Sequence, residues 1–338
     1  MNKKISLKDI ANAVGVSTAL VSYVLNNKKE GRINKAVAEK IRATALAMNY
    51  RTNQIARSLK TNKTNTIGLI LADISNPFSA ALARVIEDEA DKYNYTVIFG
   101  SSDENPEKYK KILDALVNRQ VDGLILSPPE HAEPQIKDLQ QQQIPFILID
   151  RYFPGIETNY VVLDNYKAAY EATQHLVDCG YKRIGMINYA SSLFHLQERT
   201  RGYEEALAAS DINLHKRYLR EVNAATIKEV TEKAVQELLQ TEASADALLF
   251  GSNIIATHAV KYINQQKFNV PKDVALICFD ETDAFDLFYA PLTFIRQPVK
   301  EMGQLAVQQL LENIDGKKES LQQVSMKGEL IVRQSTVC

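Results

Sequence analysis

Polar side chains stand at or just beyond the ends of apolar runs through most of this 338-residue chain: Asp73, Ser127, Asp150, Asn188, Ser252 and Asp280. The runs are TIGLIL (66–71), TVIFG (96–100), GLILS (123–127), FILID (146–150), RIGMI (183–187), ALLF (247–250) and VALICFD (274–280). Parallel sheets bind ligands beyond the C-terminal ends of their strands. Carboxylates, hydroxyls and an amide gathered there can exchange hydrogen bonds with a small polar molecule. They do not make a reacting set. No nucleophile–base pair is visible, no GxGxxG follows the first run, and no GxxxxGK[ST] occurs anywhere. The five histidines and the three cysteines, Cys179, Cys278 and Cys338, show no metal-ligand spacing. The chemistry expected is recognition without catalysis, with no cofactor and no metal.

The first sixty residues carry a different chemistry. Residues 1–60 hold 12 Lys/Arg and 3 Asp/Glu, a net of +9, while residues 61–338 hold 28 and 38, a net of −10. A basic head on an acidic body directs only the head to a polyanion. Its sequence from Ser6 to Asn26 is SLKDIANAVGVSTALVSYVLN. Ser6 can cap a helix, and Asp9 three residues later can reach back to close a capping box. Ile10 and Val14 share a face, and Gly15 breaks the pattern where a tight turn favours positive φ. Ser17 caps a second helix whose Val21, Val24 and Leu25 return to the same core. Two short helices joined at a glycine make a helix-turn-helix, whose second helix lies in the DNA major groove. The alternative is a basic helical hairpin that only caps a larger protein. Asn34 can cap a third helix running to about Met48. The polar stretch after it reads as a linker, of which 53–60 could form two turns of helix, too short to be stable alone.

The elements behind the strand-end residues are legible from the pattern. The apolar runs are continuous and not alternating, as strands buried on both faces require. Most are separated by amphipathic stretches, at 78–93, 106–119, 167–179, 200–209, 227–239 and 254–265. This alternation implies parallel sheets with helices on both faces, and the length suffices for two lobes. At 45% hydrophobic and 24% charged the composition is that of an ordinary globular protein. No apolar segment follows Met1 and no run approaches the roughly 20 residues of a membrane span. The expectation is a cytoplasmic protein with free, buried thiols.

Taken in order, these landmarks resemble the lactose-repressor (LacI/GalR) family of bacterial transcription regulators. LKDIANAVGVSTALVSYVLN is similar to that family's N-terminal signature, and NYRTNQIARSLKTNKTNTIGLILADISNPF to its hinge and the start of its core. VDGLILSP, VVLDN, GYKRIG, ERTRGYEEAL, VALICFDETD and GELIVRQST follow in the family's order. The resemblance spans essentially the whole chain. It implies an α/β fold: an all-α helix-turn-helix head (1–60, hinge helix 53–60) on a two-lobed core (61–338) like that of periplasmic binding proteins. Lobe 1 is expected at about 64–162 and 294–323, and lobe 2 at about 163–293 and 324–338. The partners implied are a near-palindromic double-stranded DNA operator, a small-molecule effector between the lobes and a second copy of the chain. The chain ends just past the last landmark, without an added leucine heptad, so a homodimer is expected.

The resemblance also assigns residues. Thr18 and Ala19 open the recognition helix at positions that vary with operator sequence. Tyr23 stands where the family usually has an arginine able to fork onto guanine, which tyrosine cannot do. Ser17, Ser22, Asn26 and Asn34 suit phosphate contacts, and Ser6 is a further DNA-binding candidate. Val37 and Ala38 replace a common Thr-Arg. Leu59 matches a leucine that wedges into the minor groove, with Ala56 small enough for close approach and Arg57 supplying charge. In the core, Arg199 matches an arginine that grips ligand oxygens and Asp280 an acid that accepts from ligand hydroxyls or ring nitrogens. Asp150 and Phe78 match lesser polar and stacking positions, and Ser252 departs from the family's Asn-Asp. Without tryptophan, a sugar platform must be Phe or Tyr; Phe78, Phe194 and Phe285 are candidates. The expected activity is that of a repressor of carbohydrate-utilisation genes. A small-molecule binding or transport protein could use the same body, but the helix-turn-helix argues against it.

Overall fold

A computed structural model describes residues 5–28, 32–50, 63–212, 218–317 and 320–336. The expected hinge, with Ala56, Arg57 and Leu59, lies outside them. The chain divides into two units, Met1–Thr64 and Asn65–Cys338.

The first unit holds α1 (Leu7–Val14), α2 (Thr18–Leu25) and α3 (Lys35–Ala47). Local chemistry sets each start. Ser6 and Asp9 form a reciprocal capping box, and the Ser17 and Asn34 side chains accept from Leu20 and Ala36 N–H groups. Gly15 ends α1 at φ 81°, a left-handed conformation that other residues adopt at a cost. Ile10, Ala11, Val21, Val24, Ile41 and Ala45 form the buried core of this unit. Val14, Leu25, Val37 and Met48 only flank it.

The second unit is two stacked α/β lobes. Lobe 1 opens with β1 (Thr66–Leu71), α4 (Pro77–Lys92), β2 (Thr96–Ser101), α5 (Pro106–Asn118), β3 (Gly123–Leu126), α6 (Glu133–Gln141), β4 (Phe146–Ile149) and β5 (Tyr160–Leu163). Lobe 2 follows with α7 (Asn165–Asp178), β6 (Ile184–Tyr189), α8 (Phe194–Ala209), β7 (Leu219–Val222), α9 (Ile227–Leu239), β8 (Ala247–Phe250), α10 (Asn253–Gln265), β9 (Ala275–Phe279) and β10 (Thr293–Arg296). The chain then supplies α11 (Val299–Ile314), β11 (Gln323–Met326) and β12 (Glu329–Ile331). The sheets run β11-β5-β4-β3-β1-β2 and β12-β10-β9-β8-β6-β7. Each has buried apolar clusters on both faces, which is why the strands read as continuous apolar runs.

The crossings differ from expectation in two places. The one near Leu163 falls between β5 and α7. The one expected near Phe294 falls after Arg296, because β10 pairs with β9 and stays in lobe 2. The one expected near Val324 falls after Met326, because β11 pairs with β5 in lobe 1. The chain then turns at Gly328, where a Cβ would lie 3.1 Å from Ile295 and 3.2 Å from Leu163, so the three crossings pack side by side. This turn makes β12 antiparallel to β10, the exception in otherwise parallel sheets. Cys278 is a free, buried thiol, but Cys179 is disulfide-bonded, against the expectation of free thiols throughout. No helix of the described residues is long and apolar enough to cross a membrane.

Candidate functional site

In the head, helical spacing separates two faces of α2. Val21 and Val24 are buried, while Thr18, Ala19 and Tyr23 are exposed and Ser22 and Asn26 are half-buried. Ser6, Ser17 and Asn34 are exposed at helix N-termini, where unpaired N–H groups and the helix dipole favour anions. The Asn26 amide is already engaged within α2, donating to the Ser22 carbonyl at 2.7 Å. Arg42, on α3, donates to the Asn27 side chain at 3.0 Å across the helix pair.

In the core, β1 and β6 are the strands at which the order of each sheet reverses. Crevices form at such points, beyond the strand ends. Asp150 follows β4 and Asp280 follows β9, at φ 68° and 70°. These are matching positions in the two lobes, and the left-handed turn sharply redirects the chain after each strand. Arg199, on α8, is 4% exposed. Its Nε donates to Asn165 Oδ1 (2.8 Å), an Nη donates to the Gly251 carbonyl (2.6 Å), and its guanidinium lies 4.0 Å over the Phe279 ring. Burial lowers its pKa, against which the charges of Asp280 and Asp150 hold the proton. Burial also pushes the Asp150 carboxyl up, with Arg151 and Arg199 opposing it. Thus Arg199 and both acids share one buried field, although Arg199 makes its hydrogen bonds within lobe 2.

Several expected residues have other work. Ser252 caps α10 through the Ile255 N–H and lies 3.4 Å from the Tyr189 hydroxyl. Asn188 bonds the Leu196 carbonyl and Thr200, pinning α8 to β6. Asp73 closes a local turn onto Ser75. Phe285 is buried in the lobe 2 core, which removes it as a platform. Phe194 meets Tyr152 of lobe 1 edge-on at 5.2 Å, and Phe78 lies against the lobe 1 core.

The structure adds residues that the strand-end rule passed over. Arg151, one position beyond Asp150, makes a fork with Glu104 (2.6 and 2.7 Å) and lies 3.3 Å from Asp150. His195 sits one helical turn before Arg199. Burial and the charges of Arg151 and Arg199 drive its pKa well below the usual value, so it is neutral. The i, i+4 spacing to Arg199 could have flagged it.

Two amides are oriented by their neighbours. Asn76 Oδ1 accepts from the Phe78 N–H, so the Asn253 group that meets it at 2.9 Å must be the NH2. Gln297 likewise turns its NH2 to Asp280 Oδ1 at 2.5 Å. The remaining Asn253 Oδ1 and Gln297 Oε1, with His195 Nδ1, are buried and have no hydrogen-bond partner among the described residues. A cavity of about 620 Å³ is lined by Gln297 of these three, with Phe78, Asp280, Pro298 and Val299 among others. Arg199, Asp150 and Ser252 do not line it.

Comparison with known proteins gives the same picture over the full length. The family model for bacterial regulatory proteins of the lacI family matches residues 6–53, and the model for a periplasmic binding protein-like domain matches residues 173–336. The chain is similar to "HTH-type transcriptional regulator KdgR" of Bacillus subtilis, with 30% identity covering 98% of this chain and 97% of the relative. It is similar to "HTH-type transcriptional repressor PurR" of Haemophilus influenzae, again 30% identical, over 98% of each. In fold it is similar to the lac repressor dimer bound to operator and the anti-inducer ONPF, with a TM-score of 0.72 or better matched by several structures and 0.87 for this one, at 22% identity and covering 99% and 100% of the two chains.

Proposed function

Since this chain belongs to the lacI family of bacterial regulatory proteins, a family of DNA-binding transcription regulators and not of enzymes, we propose that it represses carbohydrate-utilisation genes in the cytoplasm as a homodimer. A sugar or sugar derivative bound between the lobes controls it. The observation that carries this reading is the set of buried Arg199 and Asp280 with half-buried Asp150, together with two fixed amide acceptors. A guanidinium donates only, and carboxylates and amide oxygens accept only. A polyol, whose hydroxyls do both, suits that mixture. In the head, Thr18, Ala19 and Tyr23 read bases, while Ser6, Ser17, Ser22, Asn26 and Asn34 hold phosphates. Small residues at 18 and 19 and a tyrosine at 23 favour thymine-methyl and single hydrogen-bond contacts over a fork onto guanine.

Gel-shift with the gene's own promoter tests the DNA half. Binding should weaken about a thousandfold between roughly 50 and 200 mM salt. A chain of residues 62–338 should stay folded and lose it. Operator affinity equal to that of the full chain would overturn the assignment of the head. A thermal-shift screen over sugars, sugar phosphates and nucleobases tests the other half, and stabilisation by nucleobases alone would refute the sugar reading.

Leu59 is assigned to the minor-groove wedge. Unstacking a base step costs a few kcal/mol and is recovered only where the duplex kinks. Leu59→Ala should therefore weaken operator binding more than non-specific binding and reduce the bend seen by circular permutation. An unchanged bend angle would remove Leu59 from the mechanism.

A further inference from the structure

One carboxylate reaches across from lobe 1 to lobe 2 at the entrance of α8. Glu130 lies between β3 and α6, directly after two buried prolines, Pro128 and Pro129, that limit its backbone. A single oxygen, Oε1, accepts from Ser191 Oγ (2.7 Å), from Ser192 Oγ (2.9 Å) and from the Ser192 N–H. Those serines follow β6 and lead into α8, whose N-cap residue Leu193 makes no side-chain cap bond. The apolar N-cap leaves the start of α8 without the usual hydroxyl or carboxylate acceptor. Glu130 supplies a negative charge there from the opposite lobe, beside the positive end of a sixteen-residue helix. Burial opposes the charge on Glu130, but the bonds from Ser191 and Ser192 outweigh it and hold the carboxyl below the usual range.

We propose that Glu130 is an interlobe latch: it caps the entrance of α8 across the cleft and so couples lobe closure to the helix that carries His195 and Arg199. The Asn76–Asn253 bridge joins other elements, and the Tyr152–Phe194 ring contact meets α8 at its first residue through apolar packing and not through the serines. Opening the lobes strips Ser191 and Ser192 of their acceptor. Glu130 is a positioning residue in this scheme, acting through α8.

The test uses the full chain in buffer, with fluorophores placed by unnatural amino acids at exposed Lys137 of lobe 1 and Lys261 of lobe 2. Single-molecule energy transfer then reads the closed-to-open ratio. Charge-assisted bonds to a partly exposed carboxylate predict about a tenfold fall in that ratio for Glu130→Ala. Glu130→Gln should fall between, since the amide oxygen still accepts without the charge. Ser191→Ala with Ser192→Ala should fall short of Glu130→Ala, because the Ser192 N–H still donates to Glu130, and adding Glu130→Ala to that pair should lower the ratio only to the level of Glu130→Ala alone. A parental ratio in Glu130→Ala, or an additive loss in the triple variant, overturns the latch. If Glu130→Ala does not fold, the serine pair carries the test, and a parental ratio there is equally fatal.

Discussion

Arg199→Ala is expected to lower effector affinity about ten- to a hundredfold while leaving the head able to bind DNA. A charge-assisted hydrogen bond in a closed cleft is worth roughly 1.5–3 kcal/mol, and each 1.4 kcal/mol is about a factor of ten. The structure sharpens the expectation. Arg199 already serves Asn165 and the Gly251 carbonyl, so its removal orphans two buried acceptors as well. Some loss of stability, about 1–3 kcal/mol for each unsatisfied group, should accompany the loss of binding. Asp280→Asn provides the cleaner comparison, since its amide oxygen can still accept from Gln297. Both variants should bind operator near normally if the effector is an inducer, and should lose operator binding if it is a co-repressor. Calorimetry with the effector found by thermal shift decides the matter: parental affinity in both would mean that other residues read the ligand.

The second large effect falls on stability. Gly202 lies in α8 where the helix meets α7, and a Cβ there would sit 2.2 Å from the Tyr166 carbonyl oxygen and 3.0 Å from the Tyr170 nitrogen. Backbone atoms cannot swing aside as side-chain tips can, so Gly202→Ala must push the helices apart. Helix propensity returns about 1 kcal/mol, and the overpacking costs up to about 3 kcal/mol or more. The net expectation is a destabilisation of about 2 kcal/mol, or a Tm lower by about 4–8 °C for a unit of this size. Because Asn165 opens α7 and bonds Arg199, the same displacement should weaken effector binding. A calorimetric scan with an unchanged or raised Tm would show that the two helices have room to give.

Helix starts and stops that depend on residues a few positions apart were legible in the sequence. Ser6 with Asp9, the left-handed Gly15, and the caps Ser17 and Asn34 all act within one helical turn. Burial on both faces makes a strand continuously apolar whatever its neighbours, so the long strands and the acids that end them could also be read. The family resemblance added Arg199 and singled out Asp280 among the strand-end acids, and the structure places the two in one buried field. What tertiary structure alone decided were pairings between distant residues. The lobe that holds β10 or β11 depends on which strand each short segment meets, and periodicity reports burial without naming the partner. Phe285 could be platform or core until packing placed it in the core. Arg151 meets Glu104 from 47 positions away, and Glu130 meets Ser191 from 61. The free acceptors of Asn253 and Gln297 exist only because Asn76 and Asp280 turn those amides. An amide has the same composition either way round, and only the groups facing it in the fold determine which end a ligand would meet.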